Sequence, residues 1–280
     1  MPEKVVIVTG ASSGFGLLTS LEFAKAGFRV VASMRDLNRR ANLDQAANSA
    51  GVTSLDVRAL DVTRFDEIPS FVEGVVRDYG RINVLVNNAG FAVAGFAEDI
   101  KLEELRLQFE TNFFGAVAMT RAVLPIMRKQ QSGHIIQISS ISGLQGSVTI
   151  SSYSASKHAL EGWSESLRLE VSSLGIRVVL VEPGAFDTGI WTRGARMAEE
   201  AVKDTSPNYQ RSLRMRTAIQ KLPKADPTEV AQKIVRIAQD TNPKLRYLVG
   251  RDAKVQLTLK RLLPWKTYEK MIANFLKVDG

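Results

Sequence analysis

The chain of 280 residues contains no cysteine, which excludes disulfides and every metal site built on thiolates. Histidine is nearly as scarce: only His134 and His158 could offer an imidazole, so no zinc centre is expected. No uncharged apolar run reaches the ~18 residues needed to cross a bilayer. The stretch from Met1 to Val8 has no basic region leading into an apolar one, so no signal peptide is expected either. Internal repeats and low-complexity linkers are also lacking. What remains points to a soluble, cytoplasmic protein. Its hydrophobic content of 45% is ample for a buried core, and its length suits one domain spanning 1–280.

Positive charge is unevenly placed. Residues 1–184 carry 18 Lys and Arg against 19 Asp and Glu, whereas residues 185–280 carry 19 against 10. The net +8 therefore belongs to the last third of the chain. A solvated basic face is the plain explanation; steering of an anionic ligand or weak attraction to an anionic membrane surface are the sharper ones. Nucleic-acid binding is not expected, because stacking aromatics are not interleaved with the basic residues.

Short β-branched runs alternate with longer amphipathic stretches, which predicts an α/β fold: a doubly wound parallel sheet of about seven strands with helices on both faces. The expected strands are Val5–Val8, Arg29–Ser33, Ser54–Ala59, Val84–Val86, His134–Ser139, Arg177–Glu182 and Leu245–Val249. The expected helices are Phe15–Ala26, Asp66–Asp78, Leu102–Lys129, Ser152–Ser173 and Thr228–Gln239. Two segments depart from the alternation. Residues 185–225 are basic and poorly periodic, and a connection that long reads as a substrate lid. Residues 251–280 form a C-terminal extension with one or two amphipathic helices broken at Pro264.

The first strand runs into Thr9-Gly10-Ala11-Ser12-Ser13-Gly14-Phe15-Gly16. Strand, glycine turn and helix start together predict a dinucleotide pyrophosphate site over Gly10, Ser12, Ser13, Gly14, Phe15 and Gly16. Glycine permits the tight turn, close backbone approach and close helix–strand packing, and the helix start offers free N–H groups. At the end of the second strand stands Ser33-Met34-Arg35-Asp36. Met34 takes the place where a carboxylate would hold the ribose hydroxyls of NAD, and Arg35 can meet an added phosphate, so NADP(H) is expected. Pairing of Arg35 with Asp36 or with solvent is the alternative, and Asp36 could itself reach a ribose hydroxyl. Asp61 and the Val62 backbone can meet an adenine, or Asp61 can cap the segment beginning near Arg64. Asn87 and Asn88 can tie strands together, while the Asn88-Ala89-Gly90 backbone can lie against a ribose. Tyr153 and Lys157, four residues apart, put a phenol and an ammonium on one side of a helix turn. That pairing gives a proton-transfer group with a cation beside it.

Taken in order, Thr9-Gly10-x-x-x-Gly14-x-Gly16, Asp61, Asn87-Asn88-Ala89-Gly90, Asn112, Ser140, Tyr153-x-x-x-Lys157 and Pro183-Gly184 with Thr188 resemble the short-chain dehydrogenase/reductase family, in its ordinary-length branch. Phe28 to Asp36 and the C-terminal extension are most similar to the 17β-hydroxysteroid and retinol dehydrogenase-like members. The resemblance implies a Rossmann-type fold and hydride transfer at a nicotinamide. It implies Tyr153 as proton carrier, and Lys157 as the cation that steadies its anion and binds the nicotinamide ribose. Ser140, rather than Ser139, would hold the substrate oxygen, and Asn112 a water linking Lys157 to solvent. Pro183, Gly184, the Phe186 backbone and Thr188 would meet the carboxamide and pyrophosphate. His158 is expected at the surface. Packing through Leu105, Phe109, Phe113, Trp163 and Leu167 would give a homodimer or homotetramer.

Phe91, Val93, Phe96, Leu144, Val148, Phe186, Ile190 and Trp191 are expected near the nicotinamide. An apolar lining favours a hydrophobic ketone, aldehyde or secondary alcohol. Rival readings are 3-oxoacyl reduction on a carrier protein, with the basic C-terminal third meeting an acidic partner, and an NADP-sensing module without turnover.

Overall fold

The computed structural model describes residues 3–53, 55–188, 195–221 and 223–276. Seven strands form one sheet: β1 (Val5–Thr9), β2 (Arg29–Met34), β3 (Leu55–Ala59), β4 (Val84–Asn87), β6 (Gly133–Ile138), β7 (Ile176–Pro183) and β9 (Arg246–Val249). All are parallel, in the order β3-β2-β1-β4-β6-β7-β9. Every residue of β1 is buried, as an unbroken run of β-branched side chains requires when both sheet faces are covered. Each of the seven expected strands is present with its ends shifted by a residue at most; Ser54, the expected start of the third, lies outside the described residues.

Helices cover both faces. On one side α1 (Gly14–Lys25), α2 (Ala41–Ser49) and α8 (Thr228–Gln239) bury Phe23, Leu43 and Ile234 against Val6, Val8 and Val30. On the other, α3 (Ile68–Tyr79), α5 (Gly115–Gln130) and α6 (Ser151–Val171) bury Val72, Met119, Val123 and Leu167 against Ile7 and Ile135. Strand order steps outward in opposite directions from β1 and β4. The carboxyl ends of these two neighbours therefore open a crevice, where such sheets bind ligands.

The expected helix Leu102–Lys129 is two helices. α4 (Leu102–Phe109) passes through a wide π turn at Glu110–Phe114 into α5. Asn112 sits in that turn, and its side chain is satisfied by neighbouring chain rather than by the helix. Three further elements carried no clear periodic signal: α2 and the small parallel pair of β5 (Ala92–Ala94) with β8 (Ala195–Met197). The segment 185–225 is more regular than its sequence suggests, because α7 (Tyr209–Lys221) lies within it. At the C-terminus α9 (Arg251–Leu262) and α10 (Trp265–Leu276) are separated by Leu263 and Pro264, where the expected break falls. Among the described residues no helix is long and apolar enough to cross a membrane.

Leu167, expected on an outer face, packs in the core instead, and Leu105, Phe109 and Phe113 are half-buried. The apolar side chains that these helices do expose are Leu102, Leu107, Phe114 and Leu169.

Candidate active site

A cleft of about 600 Å³ runs along the carboxyl ends of the strands. Its floor is the glycine turn. Gly10 and Gly14 have φ of +69° and +55°, a region that side chains disfavour. A side chain on Gly16 would collide with the Gly10 carbonyl oxygen and come within 2.5 Å of Asn88 Nδ2, so α1 seats against the turn only with glycine there. Ser13 caps α1 without a side-chain hydrogen bond, which leaves the first-turn N–H groups directed at the cleft. Thr9 locks the floor: its hydroxyl accepts from Asn88 N and Ala89 N, each at 3.0 Å. Asn88 Nδ2 donates in return to Thr9 O at 2.8 Å. Asn87 turns the other way and donates to Thr120 Oγ1 at 2.9 Å and to Ala116 O at 3.2 Å, which is a strand-to-helix tie.

One end of the cleft is lined by Met34, Arg35, Asp36, Arg39, Asn42, Leu60, Asp61, Val62 and Thr63. Asp36 accepts from Asn38 N at 2.9 Å, and Arg35 reaches instead toward Asp61, with Nε 4.0 Å from Oδ2. The other Asp61 oxygen accepts from Thr63 N and Thr63 Oγ1 at 3.0 and 2.8 Å. Asp61 therefore shapes a turn, while its Oδ2 edge, which faces Arg35, and Val62 line the cleft. The helix that follows begins at Ile68, not near Arg64.

The opposite end is buried. Tyr153 and Lys157 lie on α6, each with 5% exposure, and the Lys157 Nζ stands 5.7 Å from the centroid of the Tyr153 ring. Lys157 donates to Ile138 O at 2.7 Å. Ser140, which follows β6, accepts from Ser142 N at 3.1 Å and hydrogen-bonds to the Tyr153 side chain. Ser139 also lines the cleft and stands beside Glu161. Asn112 accepts from Phe91 N at 3.1 Å and donates to Phe91 O at 3.0 Å and to Ser156 Oγ at 3.2 Å. It thereby pins the loop after β4 to the helix that carries Tyr153.

The electrostatics differ from the sequence expectation of a phenolate steadied by its cation. Burial pushes Tyr153 up to about 12, against a smaller downward pull from the Ser140 hydrogen bond. Burial also pulls Lys157 down to about 8, partly offset by Glu161. Desolvation disfavours both charged forms, so the tyrosine is a phenol at neutral pH.

The cleft suits an extended anionic ligand: a glycine cradle with no space for side chains, open N–H groups at its centre, and two guanidinium groups at one end. The profile of the short chain dehydrogenase family matches residues 4–199. The chain belongs to the short-chain dehydrogenase/reductase family. It is 42% identical over 280 residues to the uncharacterized oxidoreductase YusZ of Bacillus subtilis, covering 99% of each chain. It is 37% identical to a 3-ketodihydrosphingosine reductase of Bacteroides thetaiotaomicron, covering 89% of each. Retinol dehydrogenase 8 of Homo sapiens is 38% identical, with 87% of this chain and 80% of that protein covered. A short-chain dehydrogenase from Streptomyces avermitilis superposes with a TM-score of 0.82 at 36% identity, covering 99% of this chain and 98% of that one. A metagenomic short-chain oxidoreductase in complex with NADP gives 0.70 at 27%, covering 89% and 96%. A Burkholderia phymatum member in complex with NAD gives 0.79 at 24%, covering 93% of each, a likeness of fold. The protein is thus an oxidoreductase whose family fold binds a nicotinamide cofactor.

The remaining expected site residues are divided between cleft and core. Pro183 ends β7, and Gly184 packs against Asp252 of α9, where no side chain would fit. Phe186 is buried in the core with its ring edge-to-face on Phe15 at 5.8 Å, so it lines no substrate space. Thr188 lies against Gly14 and lines the cleft. Val93 is core, packed with Ala198 and Ala201. Phe91 lines the cleft beneath Arg196, 5.4 Å from the ring centroid, and Phe96 lies under Arg211. Leu144 and Val148 are half-buried in the loop after β6. Ile190 and Trp191 lie outside the described residues. His158 is exposed, as expected.

Sequence reading passed over several residues that shape the site. Arg39 and Asn42 join Arg35 at the cleft end. Buried Gln108 clamps the loop after β4 through Val93 N at 2.7 Å and the Phe91 carbonyl. The C-terminal helices hold the loops around Ser140 and Gly184: Asp252 accepts from Ala185 N at 2.7 Å, and Lys260 donates to Leu144 O at 2.6 Å. Gln145 is held by Gln256 and Tyr268. Only Arg39, four positions after Arg35, was open to discovery from spacing. Apart from Asn42, seven positions after Arg35, the others act across more than a dozen residues of sequence.

Proposed function

We propose that this protein is an NADP(H)-dependent oxidoreductase that interconverts a hydrophobic ketone or aldehyde and its alcohol through a Ser140-Tyr153-Lys157 proton-transfer site. The observation that carries this reading is the meeting of Ser140 and Lys157 at Tyr153, at the buried end of a cleft whose open end presents Arg35 and Arg39. The glycine cradle over Gly10 to Gly16, with Ala89, Gly90 and Thr188, would hold the cofactor backbone. Asp61 and Val62 would flank the adenine. Pro183, Gly184 and Phe186 would set the path of the chain beside the carboxamide. Bound nicotinamide supplies or takes up the hydride. Ser140 orients the substrate oxygen, and Tyr153, kept protonated by burial, donates its phenolic proton to that oxygen during reduction. Lys157 then faces the phenolate left behind, and Asn112 fixes the distance between the two supporting segments.

NADP over NAD is favoured by the neutral Met34 and the two nearby arginines, since a 2′-phosphate rewards cations and a bare ribose rewards a carboxylate. Of the two acids at that end, Asp61 accepts from Thr63 and Asp36 from Asn38 N. The substrates named in two relatives, 3-ketodihydrosphingosine and retinol, favour a hydrophobic compound over a small acid. On the same reading residues 1–280 are a single dinucleotide-binding catalytic domain, with 185–225 as substrate lid and 251–280 as helical extension. It works as a cytoplasmic homodimer or homotetramer.

A panel of aliphatic and aromatic ketones and aldehydes, each assayed with NADPH and NADH, tests this directly. Highest kcat/KM is expected for long apolar carbonyls with NADPH. Turnover confined to small charged acids, or preference for NADH, rejects the substrate or the cofactor assignment respectively.

A further inference from the structure

Four titratable side chains climb one face of α6 at intervals of four residues: Tyr153, Lys157, Glu161 and Glu165. Glu161 is only 4% exposed, whereas the Glu165 side chain is 53% exposed. Nothing in the proton-transfer scheme uses Glu161. Arg246 of β9 grips it, with Nη2 3.0 Å and Nε 3.1 Å from Oε2. The same guanidinium stands 3.1 Å from Glu182 Oε1 on β7 and 2.7 Å from Glu165 Oε1. Ser139 closes the remaining side: a side chain on Gly143 would meet Ser139 Oγ at 2.7 Å and Glu161 Cγ at 3.0 Å.

One guanidinium thus faces three carboxyl groups, two of them buried, and burying a carboxylate without sufficient positive charge is costly. The next cation inward is Lys157. Among the described residues, the titratable or charged groups at this face are Tyr153, Lys157, Glu161 and Glu165 on α6, Glu182 on β7 and Arg246 on β9. The Ile138 carbonyl and Ser139 complete it from β6 and its end.

We propose that Glu161 is a positioning residue for the reaction: a buried counter-charge, fixed by Arg246, that keeps Lys157 an ammonium facing Tyr153. The inference rests on the Ser140-Tyr153-Lys157 reading above. Burial draws Lys157 down to about 8, and Glu161 opposes that fall. Burial and the neighbouring carboxyl push Glu182 up to about 8. Burial pushes the Glu161 carboxyl up as well, and Ser139 and Arg246 oppose that rise by favouring its charged form.

Because the ammonium is present below about pH 8 and lost as pH rises through that value, it sets the alkaline limb of kcat. In Glu161→Gln that limb should move down by about one pH unit, a kcat about fivefold lower at pH 8 and about tenfold lower well above it, with KM for the carbonyl substrate unchanged. Glu161→Asp should restore the limb. Glu165→Gln, the same charge change at an exposed site, should leave it in place. An unmoved limb in Glu161→Gln overturns the proposal, even if thermal stability falls, and so does an equal shift in Glu165→Gln. If Glu161→Gln cannot be purified, Ser139→Ala must shift the limb in the same direction by a smaller amount; no shift overturns the proposal. Tyr153→Phe run alongside separates the two levels. Retained turnover there sinks the Ser140-Tyr153-Lys157 reading itself, whereas lost turnover with an unmoved Glu161→Gln limb sinks only the role of Glu161.

Discussion

At one end of the cleft, charge is held in water; at the other, it is held away from it. The Arg35 side chain is 65% exposed and stands 4.0 Å from its carboxylate neighbour, without a close hydrogen bond between them. Lys157 and Glu161 are buried and fixed by short contacts to Ile138 and Arg246. Exposed charges are screened and movable, so the arginine end can recognise a phosphate by degrees and with salt dependence. Buried charges interact strongly and cannot be left unpaired, so the tyrosine end should behave as a unit. On the proposed reading, cofactor choice and chemistry rest on different physics within one groove.

Substitutions should reveal that contrast, first at the buried end. On the proposed reading, Tyr153→Phe removes the proton donor and nothing else of size. Its kcat should fall about 10²- to 10⁴-fold, while NADPH affinity, followed by nucleotide fluorescence, stays within a few-fold of the parent. A loss of affinity as large as the loss of turnover would mean that the two ends are not separable.

Next in size is the arginine end. Arg35→Ala with Arg39→Ala should lower kcat/KM for NADPH by about 10- to 100-fold, in line with the ~1.5–3 kcal/mol of a charge-assisted hydrogen bond, and leave NADH nearly unaffected. Raised ionic strength should blunt the parent's preference but not the double variant's. Equal losses with both cofactors would contradict the assignment.

The smallest expected effect lies outside the cleft. Asp252→Ala leaves the Ala185 N–H without its 2.7 Å partner, a cost of about 1–3 kcal/mol if the group stays dry. Tm should drop by several degrees, and kcat by a few-fold, because the chain leading to Thr188 is no longer held. An unchanged Tm would show that water replaces the carboxylate at that point.

The same contrast explains what could be read from sequence. All seven sheet strands were legible, because parallel strands buried on both faces must be unbroken apolar runs, as Val5 to Val8 are. The glycine turn was legible because backbone geometry at Gly10 and Gly14 tolerates little else. Tyr153 and Lys157 are bound by helical spacing, and Ser140 by its place after a strand. By contrast, α2 is short, and of its side chains only Leu43 and Ala47 are buried, so its apolar stripe hardly registers. The π turn at Asn112 was hidden inside a continuous helical pattern. The Arg246 grip on Glu161 joins elements 85 residues apart, and no local rule anticipates it. Phe186 misled for the opposite reason: an aromatic beside a predicted site looks like a pocket wall until its packing on Phe15 is seen.

The most direct measurement follows the hydrogen itself. NADPH carrying deuterium at C4 of the nicotinamide should be incubated with the enzyme and a long-chain apolar ketone, and the alcohol analysed by mass spectrometry. Deuterium at the carbinol carbon, formed by the parent protein and not by Tyr153→Phe, is the expected result. Tight NADPH binding with no labelled alcohol from any ketone or aldehyde tested would contradict it.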